Sequence, residues 1–306
     1  MNIDAVPTLI VITGPTAVGK SDFAIRIASS FNAEILSADS RQFYSEMRIG
    51  TARPPEEDLI KVPHHFIGHL SIHDYYNVSM FEQEALRKME ELFLNSRVAL
   101  LVGGSGLYID AVCKGIDDLP DPDDATRKRL KMIFREQGLP PLVEQLKALD
   151  PDYYQTVDQS NPKRILRALE VCLSTGVPYS SLRLNKPKKR DFQVIKVGLT
   201  MDRQLLYNRI NSRVDQMMED GLLEEARALY PFRDLNALNT VGYKELFAFF
   251  DNQCTFDFAL EKIKTNTRRF AKRQMTWFGR DDEITWFRPK EEEEVGRFIM
   301  KRMDNG

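Results

Sequence analysis

The sequence predicts an α/β fold, a parallel sheet flanked by helices and interrupted by a mostly helical insertion domain. Three observations carry this expectation. Leu9-Ile10-Val11-Ile12-Thr13 is an apolar strand that runs into the glycine loop Gly14-Pro15-Thr16-Ala17-Val18-Gly19-Lys20-Ser21 and then into the helical pattern Phe23, Ala24, Ile27, Ala28. Further short apolar runs at 33–38, 97–102 and 194–199 read as buried strands separated by helical spacing. At 115–124 the chain turns acidic and proline-rich, then helical to about Ser181, before the last of those strands rejoins the sheet. The expected division is a core of residues 1–115 and 192–306, with an insertion at 116–191.

The loop at 14–21 reads as a P-loop. Its glycines allow a tight turn in which successive N–H groups face one anion, and the helix from Lys20 adds its positive N-terminal end. Lys20 supplies a mobile cation for phosphate oxygens. Ser21 places a hydroxyl where a Mg²⁺ ion bridging two phosphates would sit, so the loop suits a diphosphate or triphosphate and leaves the reaction open.

Composition narrows the setting. The 306 residues, 42% hydrophobic and 29% charged, are enough for a full α/β core and a smaller second domain, and a net charge of −2 points to no partner class. Cys113, Cys172 and Cys254 are odd in number and far apart, which suggests reduced thiols and a cytoplasmic protein. The N-terminus has no basic region ahead of its apolar run, so no signal peptide is expected. No apolar stretch approaches the roughly 20 residues of a membrane helix, and no membrane partner is expected.

The second strand ends at Asp39-Ser40-Arg41-Gln42, and in an open parallel sheet the ligand lies beyond such strand ends. Asp39 therefore reads either as a turn cap or as a carboxylate facing the phosphate loop. From Gly50 to Tyr76 the chain is rich in Pro and His and reads as an excursion over the active face. His65, His69 and His73 are spaced by four, but Pro63 and Gly68 oppose a helix and nothing completes a zinc site. Val78 to Asn95 has helical spacing. The third strand ends in Gly103-Gly104-Ser105-Gly106, where many P-loop proteins place a Mg²⁺-binding Asp. These glycines are turn residues or room for a bulky ligand. In the insertion, Pro162 fits an early helical position ahead of Lys163, Arg164 and Arg167. From Arg203, Leu206, Ile210, Val214 and Met217 form one apolar face with Arg213 beside it. Lys262, Lys264, Arg268, Arg269, Lys272, Arg273 and Arg280 then stand among Phe270, Trp277 and Phe278, which favours a polyanion with bases to stack.

Several stretches together resemble the tRNA dimethylallyltransferases: GPTAVGKS at 14, SADSRQFYSEMRIGTARP at 37, PHHFIG at 63, LLVGGSGLY at 100, KRILRALE at 163, RVDQMMEDGLLEEA at 213, VGYKE at 241 and KRQMTWF at 272. The departures are Val18, Ser105 and Gly279, where that family often carries Ser, Thr and a basic residue. The resemblance implies a P-loop NTPase-like fold. It also implies transfer of a dimethylallyl group from dimethylallyl diphosphate to N6 of adenosine 37, beside the anticodon, in tRNAs reading codons that start with U. On this resemblance Asp39 is the general base, and Thr16, Lys20 and Arg213 act on the leaving diphosphate with the loop from Gly14 through Pro15, Ala17, Val18 and Gly19 to Ser21, the Mg²⁺ position. The tRNA contacts it implies are Asp39, Ser40, Arg41, Gln42, Ser105, Arg127, Lys163, Arg164, Ile165, Leu166, Arg167, Val241, Gly242, Tyr243, Lys244, Lys272, Arg273 and Gln274. The implied partners are the anticodon stem-loop of tRNA and dimethylallyl diphosphate, with the protein a monomer. A small-molecule kinase using ATP is the alternative; it leaves the basic stretch at 262–280 unexplained. The tail after Arg288 carries no motif.

Overall fold

The apolar run before the glycine loop forms β1 (Thr8–Thr13), buried at every position, at the heart of a parallel sheet. The structure, a computed structural model, describes residues 6–117, 119–184 and 186–305. Asp118 of the expected acidic break and Asn185 of the basic connection lie outside the described residues, as do the first five residues of the N-terminus. After β1 come α1 (Lys20–Phe31), β2 (Ile35–Ser37), α2 (Glu56–Lys61), β3 (His64–His65), α3 (Val78–Phe93), β4 (Val98–Gly103) and α4 (Gly106–Lys114). The insertion supplies α5 (Asp124–Gln137), α6 (Pro140–Leu149), α7 (Pro151–Thr156), α8 (Pro162–Thr175) and α9 (Tyr179–Leu182). The chain then returns through β5 (Gln193–Leu199), α10 (Arg203–Glu219), α11 (Leu222–Leu229), α12 (Tyr243–Phe250), α13 (Phe256–Phe278), β6 (Thr285–Phe287) and α14 (Glu292–Asp304).

The strand order is β3-β2-β4-β1-β5-β6, all parallel. Thr8 pairs with Val98 on one side and Gln193 on the other, so β1, β4 and β5 end level and their loops emerge together. Alternation along β1 sends Ile10 and Ile12 into a core with Ile27 and Leu100, and Leu9 and Val11 into one with Leu36, Phe81 and Leu101. Both faces are buried, which is why the strands read as continuous apolar runs rather than alternating ones. A third core joins Met47, Leu222, Tyr243, Leu246 and Ile263 beneath the loop at 41–50.

Two sheet edges and the tail were not expected. β3 is two half-buried histidines inside the excursion, and β6 is three half-buried residues beyond the basic stretch. What fixes β6 is Lys196 on β5, only 5% exposed, whose ammonium donates to Asp281 (2.7 Å) and Glu283 (2.6 Å) just before that strand. Burial alone would push Lys196 down, but those two hydrogen bonds outweigh it and hold it up at about 12. The motif-free tail forms α14, with Val295 and Ile299 fully buried in the core that also holds Ile27.

The chain divides into two compact units, Met1–Cys113 with Lys189–Gly306, and Lys114–Lys188. The second has its own core of Leu130, Leu142, Leu146, Ile165 and Leu169. Its helices start where caps allow: Asn161 Oδ1 accepts from Arg164 N (3.3 Å), with Pro162 at the first helical position. The fully buried Asp150 accepts from Tyr153 N, Ser180 N and Ser180 Oγ, tying α6, α7 and α9 together. Lys188 N donates to Lys114 O (2.8 Å), closing the neck of this unit. None of the three cysteines is in a disulfide. Among the described residues no helix is long and apolar enough to cross a membrane.

Candidate active site

Beyond the C-terminal ends of β1, β2 and β4 lies a cavity of about 540 Å³. Its floor is the glycine loop. Gly14 has φ +143°, and a Cβ there would lie 2.5 Å from Leu199 O, so the loop can pass β5 only as glycine. Val18 turns into the core, fully buried, while Thr16, Ala17, Gly19, Lys20 and Ser21 line the cavity. Val18 therefore offers a ligand its backbone, not its side chain.

Lys20 opens α1 and folds back over its own loop, its ammonium donating to Gly14 O (3.0 Å) and Pro15 O (2.8 Å). Burial pushes it down to about 8; the charge of Asp39 opposes this and that of Arg213 adds to it. Arg213 reaches in from α10, 197 residues away in sequence, and its Nη1 donates to Thr16 Oγ1 at 3.3 Å. Burial pushes its guanidinium below the ordinary value, against the pull of Asp39 and with further repulsion from Arg209. Lys20, Thr16, Arg213 and Asp39 thus line one cavity. Three groups of like or opposite charge from α1, α10 and the end of β2 are close enough to perturb one another.

Asp39 unites its two sequence readings. Oδ1 accepts from Arg41 N (3.1 Å), a local turn cap, and the residue also lines the cavity, with Oδ2 free of hydrogen-bond donors among the described residues. Gln42 braces the excursion, Nε2 donating to Thr51 O and Ala52 O (both 3.2 Å) and Oε1 accepting from Ser37 Oγ (3.2 Å). The excursion closes one side of the cavity with Thr51, Pro54, His64 and Ile67. His65, His69 and His73 make no metal site: among the described residues no group of three or more His, Cys, Asp or Glu is placed to hold an ion.

The other expected contacts are more scattered. Ser40 N donates to Ser105 Oγ (3.0 Å), and Arg41 Nη1 donates to Asn236 O (3.0 Å) and Ala237 O (2.9 Å). In the insertion, Lys163 and Arg164 are exposed, Leu166 is half-buried, and Arg127 and Arg167 both approach Glu170 at 3.9 Å. Ile165 and Tyr243 are both completely buried, so neither side chain is exposed to a ligand in this structure. Tyr243 donates to Glu225 Oε1 (2.6 Å), and Glu225 also accepts from the N–H groups of Arg48, Ile49 and Gly50. Val241 is half-buried, Gly242 buried and Lys244 exposed. On α13, Lys272 and Arg273 are exposed, but Gln274 is only 6% exposed and hydrogen-bonds two loops.

Two readings of the sequence change. At Gly104 and Gly106 the space is taken by Gln274 and Trp277, since Cβ atoms there would lie 2.1 and 2.3 Å from them, while Gly103 of the same run lines the cavity. The basic stretch is not one surface. Lys264 pairs with Asp215 (2.7 Å) and Arg268 donates to Asn211 (2.6 Å), both on α10, so these two hold helices together. Arg209 was missed. It lines the cavity one turn before Arg213, with no hydrogen-bond or ion-pair partner among the described residues, and the i, i+4 spacing on α10 was its only signal.

Comparison with known proteins identifies the family. The profile of the family described as IPP transferase matches residues 42–281. The chain is 51% identical over 293 residues to a tRNA dimethylallyltransferase 1 of Bacteroides thetaiotaomicron, covering 96% of this chain and 95% of that one. It is 53% identical over 279 residues to a tRNA dimethylallyltransferase of Christiangramia forsetii, covering 91% and 92%. Among solved structures it matches the tRNA isopentenylpyrophosphate transferase of Bacillus halodurans with a TM-score of 0.71 and 36% identity, covering 98% and 97% of the two chains. It also matches a eukaryotic dimethylallyltransferase described as acting on tRNA, with a TM-score of 0.71 and 26% identity, over 89% of this chain and 69% of that one.

Proposed function

Because the chain belongs to the IPP transferase family, we propose that it transfers a dimethylallyl group from dimethylallyl diphosphate to N6 of adenosine 37 in tRNAs reading codons that start with U, releasing diphosphate. The observation that supports this most is the meeting of Lys20, Arg213 and Thr16 with the carboxylate of Asp39 on one cavity. An exocyclic adenine amine is a weak nucleophile, its lone pair delocalised into the ring. Asp39 takes its proton as the new C–N bond forms, help typically worth about 10²–10⁴ in rate. The allylic C–O bond breaks at the same time, and Lys20, Arg213 and the loop N–H groups take up the charge growing on the diphosphate oxygens. The P-loop then holds a leaving group rather than ATP.

The donor set around the loop also suits a hard cation carried by the ligand. Ser21 and Asp39 offer oxygen atoms to the same cavity, and Mg²⁺ typically binds through one or two protein oxygens plus phosphates. Ser21 would hold it. When bound, the ion neutralises charge on the departing diphosphate. Adenine must leave its stack to reach Asp39, which fits a single-stranded anticodon loop. Exposed Lys163, Arg164, Lys244, Lys272 and Arg273 are the cations we assign to that RNA.

Incubation with unmodified tRNA, labelled dimethylallyl diphosphate and, in parallel, labelled ATP tests the reading. Label moving from the prenyl donor to a single adenosine beside the anticodon is expected. Phosphoryl transfer from ATP to a small molecule, with no prenylated tRNA, would overturn it in favour of a kinase.

A further inference from the structure

Gln274 lies on the inward face of α13. Ala271, Gln274 and Phe278, three and four residues apart, are buried, whereas Lys272 and Arg273 beside it are exposed. Its Oε1 accepts from Thr16 N at 2.8 Å, and its Nε2 donates to Gly104 O at 3.0 Å. The partners fix the orientation of the amide, because a flipped amide would set N–H against N–H and oxygen against oxygen. One side chain therefore ties the glycine loop after β1 to the glycine turn after β4. The fit is close: a Cβ at Gly104 would lie 2.1 Å from Nε2.

This has a consequence for Thr16. Its amide is held by Gln274 and so is not one of the N–H groups offered to a phosphate, while its hydroxyl is met by Arg213 Nη1 at 3.3 Å. Removing Gln274 would free the amide to turn and let the hydroxyl and the guanidinium drift. Gln274 is only 6% exposed and faces the cavity at the glycine loop, on the opposite side of α13 from the exposed Lys272 and Arg273.

We propose that Gln274 is a positioning residue of the donor site, holding Thr16 and through it Arg213 at the leaving group, and is not a contact to RNA. The proposal rests on the prenyl-transfer reading. It also makes α13 the element shared by the two substrates, with Gln274 turned to the diphosphate loop and Lys272 and Arg273 turned outward.

The test uses two variants of the full chain. Gln274→Ala removes both hydrogen bonds. Gln274→Glu keeps the length and the acceptor for Thr16 N but sets an oxygen against Gly104 O. For each, single-turnover prenylation is measured at saturating tRNA and donor, inorganic diphosphate affinity by calorimetry, tRNA affinity by filter binding, and folding by thermal unfolding. The expected result is a fall of about 10–100-fold in the saturating rate, a smaller loss of diphosphate affinity and tRNA affinity within about twofold of wild type. Weakened tRNA binding with an unchanged saturating rate would make Gln274 an RNA contact and overturn the proposal. So would wild-type rates and affinities in both variants, or loss of the folded state in both, which would leave a packing residue. Failure of the wild-type protein to prenylate tRNA would instead remove the functional reading. The diphosphate titration needs no reaction, and it would still report on the loop.

Discussion

On the proposed function, Asp39 is both a turn cap and the general base. Because Oδ1 caps the turn at Arg41, Asp39→Ala would disturb the backbone as well as remove the base. Asp39→Asn is the cleaner change, since its amide oxygen can still accept from Arg41 N while the residue no longer takes a proton. It should lower the single-turnover rate by at least about 10² with tRNA and diphosphate binding near wild type. A rate within a few-fold of wild type would remove Asp39 from the mechanism. Lys20 gives a second prediction. Its ammonium sits at about 8 in the free protein, pushed down by burial, and a bound diphosphate must raise it. Below about 8 the lysine is charged in both states; above it, binding takes up a proton, so donor affinity should fall as pH rises further. Calorimetry of dimethylallyl diphosphate without tRNA at pH above 8, in buffers of different ionisation enthalpy, should show proton uptake that Lys20→Ala abolishes. Equal proton exchange in both proteins would contradict it. Lys20 was legible in the sequence because it closes the glycine loop and opens α1, and Asp39 because it follows the end of β2. Arg209 was not, because it reaches the cavity on a helix from elsewhere in the chain, and Gln274, on another such helix, was named only by resemblance and as an RNA contact.

At the scale of elements, legibility followed length and burial. β1, β4 and β5 are six or seven residues long and largely buried, so their apolar runs announced them. β3 and β6 have two and three residues, all half-buried, and depend on neighbours such as Lys196 for their place. The helix α13 shows the limit of reading charge from sequence. A basic stretch looked uniform, yet Lys264 and Arg268 face α10 while Lys272 and Arg273 face outward. The two pairs should behave differently. Each phosphate contact releases condensed counterions, so Lys272→Ala with Arg273→Ala should flatten the salt slope of tRNA affinity by roughly one to two units. Lys264→Ala should instead lower the unfolding temperature modestly and leave the slope unchanged, because it removes a helix-to-helix ion pair. Salt titrations of tRNA binding and thermal unfolding on the same variants separate these outcomes. A slope equally flattened by Lys264→Ala would mean that its pair with Asp215 opens when RNA binds.

For the molecule as a whole, the division into two units predicts that donor chemistry and stability of the insertion can be separated by a single substitution. The insertion folds around its own core, and its most demanding polar group is Asp150, completely buried and accepting three hydrogen bonds from Tyr153 and Ser180. Asp150→Ala would leave two backbone N–H groups and a hydroxyl without that acceptor and remove the cap of α7. The loss should be at least about 2 kcal/mol, given the usual cost of a lost cap and of unsatisfied buried groups. None of those groups belongs to the unit that carries Lys20, Arg213 and Asp39. Thermal unfolding should therefore show an earlier transition assigned to the insertion, while calorimetric affinity for inorganic diphosphate stays at the wild-type value below that transition. Prenylation should suffer through tRNA, with kcat/KM for tRNA reduced, because on the proposed function Lys163 and Arg164 in this unit bind the RNA. Rescue by raising tRNA concentration would place the defect in RNA capture. A parallel loss of diphosphate affinity would show instead that the two units unfold as one, and that the insertion is needed to build the donor site.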